Sequence, residues 1–333
     1  MINSVCHKLI MRLLIILCYN VRIISILKYK LQGRENMKFS FIYLLFLFYL
    51  QTTLASPLIV AHRAGTADYP ENTRYAIDNS LANEVDIIWI TIQLSKDGIP
   101  VLYRPKDLSE LTNGNGPVSQ QTLEELQLLD AAYHFKQNDQ DDHYIYRDRG
   151  VKILSLHRIL LSYPHVRFII DIKSPDADPE IMANAIIELR RNILSPERLV
   201  FYSTEQKYLD ALPEYFNKFE SRHKTRKILA NAIMANKCII AKNQGNPFII
   251  SQNKHYAFEL RRDVKVVEKF TLGKGTTRTQ LVWNQPAMDC FKRSEQAKVL
   301  LIGINSAEDY QFAKDLGADY VMVDSPLQAK EWH

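Results

Sequence analysis

Cysteine is scarce in this chain: four in 333 residues, which is too few for a disulfide-built scaffold. Two of them, Cys6 and Cys18, fall within the first 55 residues. The remaining pair, Cys238 and Cys290, is open either to bridging in an oxidising compartment or to standing as buried thiols. No spacing of cysteine and histidine matches a zinc-type ligand set. There is no low-complexity tract and no evident internal repeat. Residues 56–333 also lack an excess of one charge. Seven of the 42 basic residues and one of the 37 acidic residues lie in the first 55, which leaves 35 against 36. The basic character of the whole therefore belongs to the front. The rest has no broad positive surface for nucleic acid, so no nucleic-acid partner is expected.

That front reads as a leader. Met37-Lys38 precedes an apolar run over 39–50, followed by Gln51-Thr52-Thr53-Leu54-Ala55-Ser56. A basic start, an apolar stretch and a small-residue end predict a signal peptide over 37–55, cleaved after Ala55. The run is short for a membrane span, and an uncleaved anchor is the alternative. Residues 1–36 carry a second apolar patch interrupted by Arg12 and Arg22, and read as an upstream extension or a mis-called start. The expectation is an exported protein, periplasmic or secreted, with no stable membrane insertion after cleavage.

Residues 56–330 alternate strand-like and helix-like segments. Strands are expected at 58–61, 86–94, 99–103, 166–172, 199–202, 227–234, 299–304 and 320–323, with strand-like runs at 258–272 and 281–284. Helices are expected at 72–83, 122–129, 179–191, from about 205, and at 307–316. The 86–94 segment is apolar on both faces, as a strand covered on both sides must be. Thr122-Leu123-Glu124-Glu125 has the form of a capping box, a helix start and not a site. Alternating strands and helices argue for a parallel sheet with covered faces, and about 275 residues suit a single TIM (β/α)8 barrel. A small insertion is expected after the third strand, over about 104–150.

The densest chemistry sits just after the first strand. His62-Arg63-Ala64-Gly65 is followed by Pro70-Glu71-Asn72-Thr73. An imidazole moves protons near neutral pH, and a guanidinium clamps phosphate with paired hydrogen bonds. Together they point to a phosphate ester.

With these motifs in hand, the chain resembles the glycerophosphodiester phosphodiesterase family. The likeness is carried by the His62-Arg63 and Pro70-Glu71-Asn72-Thr73 blocks, the turn Gln93-Leu94-Ser95-Lys96-Asp97-Gly98, Thr112-Asn113-Gly114, Asp171-Ile172-Lys173 and the closing run Gly317 to Pro326. It implies a TIM barrel, a small-molecule phosphodiester substrate from lipid headgroups, two catalytic histidines and a divalent cation, calcium or magnesium. It also implies where this chain departs. The two carboxylates of the metal-binding Glu-x-Asp pair fall on Trp89 and Thr91, and the third metal ligand on Asp171. The second catalytic histidine falls on Arg104. A hard cation needs oxygen ligands, and the indole of Trp89 has none. No cofactor is therefore assigned.

The expected reading is a phosphodiester hydrolase in lipid and glycerol metabolism. His62 is its proton-transfer residue, Arg63, Arg104 and Lys173 are phosphate clamps, and Glu71 and Asp171 lie beside them. Arginine cannot replace the missing histidine as a base. The alternatives are a catalytically impaired phosphodiester-binding protein and a metal-independent, phospholipase-like transferase or cyclase. Arg63 is also open to pairing with Glu71, and Lys173 and Asp171 to pairing with neighbours at the barrel end. Trp89 reads as core or pocket wall, and Glu259 and Glu268 as further carboxylates of unassigned role. The oligomeric state is not expressed in the sequence.

Overall fold

The computed structural model describes residues 56–137, 143–227, 255–292 and 297–332. The leader, all but the first residue of the strand expected at 227–234, most of the irregular 236–256 stretch, Cys238, and the side chains of Glu268 and Cys290 lie outside the described residues.

The ring is built from β1 (Leu58–Ala61), β2 (Ile87–Leu94), β4 (Arg167–Ile172), β5 (Leu199–Tyr202), β6 (His255–Glu259), β9 (Lys298–Ile302) and β10 (Tyr320–Val323), all parallel. Parallel bridges Phe201–Lys218 and Phe219–His255 place the segment 217–220 between β5 and β6. Asn217 O accepts from Phe201 N–H of β5, and Glu220 N–H donates to His255 O of β6, each at 2.8 Å. This segment is the eighth stave and closes a (β/α)8 barrel.

β3 (Pro100–Leu102) is not a stave. It returns antiparallel along β2, with Ile92 opposite Leu102. The inserted segment follows it and has its own small core of Val101, Tyr103, Leu108, Val118, Leu126 and Ile153. The strand-like run at 258–272 is a second difference from expectation. It divides at Leu260 into the stave β6 and a separate hairpin of β7 (Arg261–Phe270) and β8 (Gly273–Val282), paired only with each other. An apolar run does not by itself distinguish a buried stave from a projecting ribbon.

Every residue of β2 is buried, because one face meets helices and the other the barrel interior. Ile88, Ile90 and Ile92 face the outer layer; Ile87 and Trp89 face inward with Val60, Ile169, Tyr202, Phe219 and Met322. The helices begin where their caps stand. Thr73 accepts from Ala76 N–H at the start of α1 (Arg74–Ala82), and the expected capping box of Thr122 and Glu125 opens α2 (Leu123–Leu128). α3 (Leu156–Ser162) was not foreseen, since seven residues carry little periodicity. α4 (Pro179–Arg191) has Asp178 as cap and proline in its first turn. α5 (Gln206–Ala211) follows β5, while α6 (Gln285–Lys292) and α7 (Ala307–Asp315) precede β9 and β10. Among the described residues no helix is long and apolar enough to cross a membrane.

Candidate active site

The first stave ends in a backbone few side chains tolerate. After Ala61 the chain turns through Arg63, Ala64 and Gly65 with φ of 48°, 64° and 96°. Each non-glycine residue in this region costs on the order of 1 kcal/mol, and such strain gathers where geometry serves function. The turn is held by Gly65 N–H to His62 O at 2.8 Å, Ser80 Oγ to Ala64 O at 2.8 Å and Ala67 N–H to Asp324 O at 2.9 Å. A Cβ on Gly65 would come within 2.9 Å of both Pro326 Cγ and Ser80 Oγ. Gly65→Ala is therefore expected to destabilise the protein by about 2–4 kcal/mol, read as a fall in the thermal unfolding midpoint.

His62 meets a residue 262 positions away. Its Nδ1 lies 2.6 Å from Asp324 Oδ1. The contact follows from the ring: β1 and β10 are neighbours with Ala61 opposite Val323, so the residue after each emerges side by side. Asp324 is held well below the usual carboxylate range, chiefly by the His62 hydrogen bond and further by Asn305. Asn305 Nδ2 donates to its other oxygen at 3.2 Å. An ionised Asp324 accepts from Nδ1–H, so Nε2 is the nitrogen free of a proton. Arg63 Nε donates to that Nε2 at 3.2 Å. Asp324 and Asn305 escaped the sequence reading; the adjacency of first and last strands in a barrel is the signal that could have found them.

The expected cations do come together. Arg63 pairs through Nη1 with Glu71 Oε2, which also accepts from Thr66 Oγ1 at 3.0 Å. Asn72, buried with φ of 58°, reaches from this loop to β2, where its Oδ1 accepts from Thr91 N–H at 2.8 Å. Lys173 Nζ lies 3.6 Å from Asp171 Oδ2. Burial pushes the Asp171 carboxyl up to about 6; Lys173, Arg104 and Arg63 act against that rise. One carboxyl thus feels all three cations. Asp171 Oδ1 is buried without a hydrogen-bond partner, and Arg104 is exposed and makes no ion pair among the described residues.

The family's divalent cation fits these residues poorly. Trp89 fills the barrel interior, its ring 4.9 Å from Tyr202 and 6.2 Å from Phe219, and so is pocket wall. Thr91 offers a neutral hydroxyl. Asp171, opposite Thr91 in register, is already engaged by Lys173 under the field of two arginines. A hard cation gains little from one shared carboxylate among three positive groups.

Glu259 ends β6, held by Arg222 and Arg226. Two cavities flank the ring. One of about 260 Å³ opens beside Glu71 and Thr66, against His134 and Lys136 of the insertion. A larger one of about 370 Å³ lies at the opposite end, among the strand starts Ile87, Arg167 and Lys298. Burial pushes its His255 down to about 4, leaving a neutral ring stacked on Tyr320. In barrels of this kind chemistry belongs to the C-terminal ends of the strands, the end where the smaller cavity reaches Glu71, the partner of Arg63.

Residues 62–328 match the Glycerophosphoryl diester phosphodiesterase family. The chain is 38% identical over 280 residues to the uncharacterised protein Rv2277c of Mycobacterium tuberculosis, covering 83% of this chain and 89% of that one. It is 29% identical over 141 residues to a glycerophosphodiester phosphodiesterase of Bacillus subtilis, covering 41% of this chain and 47% of the relative. Its fold matches the crystal structure of the glycerophosphoryl diester phosphodiesterase domain of Rv2277c with a TM-score of 0.73 at 37% identity, over 83% of this chain and 99% of that domain. A phosphodiesterase of Oleispira antarctica, solved with its product sn-glycerol-3-phosphate, matches in fold with a TM-score of 0.56 at 18% identity, over 83% and 95% of the two chains. A closed (β/α)8 ring, a histidine set at its C-terminal mouth and a match over most of its length are one consistent result: the chain belongs to the glycerophosphoryl diester phosphodiesterase family.

Proposed function

We propose that this protein hydrolyses glycerophosphodiesters released from lipid headgroups, outside the cytoplasm and without a resident cation. The observation that carries the reading is the His62–Asp324 pair standing beside Arg63 in the same mouth as Asp171, Lys173 and Arg104. A phosphate beside Arg63 would have its charge opposed by guanidinium and ammonium groups already in place, the electrostatic part of the work. His62 Nε2 takes the proton from the attacking water as its oxygen bonds phosphorus, the P–O bond to the alcohol breaks, and the imidazolium returns that proton to the departing alkoxide; Asp324 holds the imidazole in the required tautomer and stabilises its charged form.

Asp324→Asn tests the second role. It is expected to lower kcat by about 10- to 100-fold while leaving KM within about threefold, because the amide no longer orients Nδ1–H. The function itself is tested by incubating the protein with glycerophosphoglycerol, glycerophosphocholine and glycerophosphoethanolamine and following glycerol phosphate by phosphorus NMR. Turnover is expected, and chelator should change it by no more than about twofold, since among the described residues no set of carboxylates is offered to a cation. Absence of product from every diester would sink the proposal, and loss of turnover on chelation would sink its metal-independent form.

One observation favours a second reading, a phosphodiester-binding protein without turnover. Arg63 Nε occupies the lone pair of His62 Nε2 that a base would need. Ligand-induced thermal stabilisation without product would mark that outcome.

A further inference from the structure

A second group of cations stands at the same mouth, and the chemistry above does not use it. Arg222 Nη2 donates to Glu259 Oε1 at 2.8 Å and Arg226 Nη2 to the same oxygen at 3.1 Å; Arg262 Nη1 lies 4.0 Å from Oε2. Three guanidinium groups thus share one carboxylate, leaving a net charge of about +2. They offer about fifteen N–H donors to a group that accepts about four. One arginine would suffice to neutralise Glu259. Gathering three costs mutual repulsion, which an incoming anion relieves. Their side chains are 35–40% exposed, open to a ligand but partly shielded from water.

The topology places this cluster on the catalytic side. Glu259 is the last residue of β6, and Arg262 follows at the start of the hairpin. Arg222 and Arg226 lie one helical turn apart, just beyond the C-terminal end of the 217–220 stave. Between the two groups stands Tyr202, at the end of β5. Its hydroxyl is pushed up by burial first and then by Asp171, and it also feels Arg222, Glu259 and Arg226. A single side chain therefore senses both the phosphate-facing groups and the arginine cluster.

We propose that Arg222, Arg226 and Arg262 form a second anion subsite that takes a phosphate carried on the alcohol side of the diester. The preferred substrates are then glycerophosphodiesters whose alcohol bears a further phosphate, with one phosphoryl group beside His62 and the other across Tyr202. This rests on the phosphodiesterase reading and adds the substrate class to it.

The test compares glycerophosphoglycerol with glycerophosphoglycerol phosphate. The intact protein is expected to favour the phosphorylated compound in kcat/KM by about tenfold or more, an advantage that shrinks as salt rises from about 50 to about 500 mM because screening weakens the attraction of exposed arginines for phosphate. In Arg222→Gln, and separately in Arg262→Gln on a different element, the ratio between the two substrates is expected to fall by about tenfold. A ratio near one in the intact protein, or a ratio unmoved by both replacements, overturns the subsite. Calorimetric titration of His62→Ala with the same two compounds decides the question independently of turnover. Tighter binding of the phosphorylated one, lost with Arg262→Gln, supports the subsite, and equal affinities overturn it. If neither compound is turned over, the function proposal has failed and the titration still judges the cluster.

Discussion

Replacing His62 by alanine is expected to lower turnover of a glycerophosphodiester by about 10²- to 10⁴-fold, with KM little changed and the fold retained. The size follows from what the imidazole does and from what else is present. A proton-transfer group contributes in this range, and the position where the family resemblance implies a second histidine holds Arg104, which cannot act as a base. No second imidazole is available there to take over. The fold survives because the His62 side chain is 26% exposed and makes one strong contact, to Asp324, whose carboxylate can turn to water and Asn305. Steady-state kinetics on glycerophosphoglycerol, together with a thermal unfolding curve, checks both halves. A variant that keeps more than a tenth of the activity would remove His62 from the proton path.

Asp171→Asn has the second large effect, and on stability it runs in the favourable direction. Burial raises the Asp171 carboxyl to about 6, so the folded protein binds this proton more tightly than the unfolded chain does. The resulting destabilisation is full above pH 6, fades as the pH falls through 6 towards 4, and is absent once both states are protonated. At pH 8 the ionised group costs on the order of 3 kcal/mol, the relief from Lys173, Arg104 and Arg63 already included. Asparagine has the same shape and no charge to bury. The variant is expected to resist urea better than the parent at pH 8 and to match it near pH 4, with a flatter dependence between. Its activity should fall, because Lys173 loses the carboxylate 3.6 Å away that positions it. Urea midpoints at the two pH values test this; a variant weaker than the parent at pH 8 contradicts the burial argument. A stabilising change at the cost of activity is the mark of a residue retained for function.

Much of the scaffold was legible in the sequence because its signals are local. Pro179–Arg191, Leu199–Tyr202 and Tyr320–Val323 lie where apolar spacing and caps place them. The eighth stave was not legible. Asn217, Lys218 and Glu220 are polar, and their strand geometry comes from neighbours on either side rather than from their own preferences. The projecting hairpin was misread for the converse reason, since Val264, Val266 and Val267 have strand character without a buried stave to join. In the site, His62 and Arg63 announced themselves, while Asp324 did not. A lone aspartate after a strand has no signal until β10 is known to lie against β1.

What the sequence determined by itself is the class of the protein: alternating buried strands and helices, and an imidazole with a guanidinium in the turn after the first strand. It also determined what stands where the resemblance implies metal ligands, because an indole and a hydroxyl are the same chemistry in any fold. Only the tertiary structure decided which partners those groups have. Closing the ring brought His62 to Asp324 across 262 residues, set Arg63, Arg104 and Lys173 around one buried carboxyl, and gathered three arginines on Glu259. Hydrogen bonds and charge interactions act over a few ångströms of space, and separation along the chain carries no record of that distance until the barrel closes.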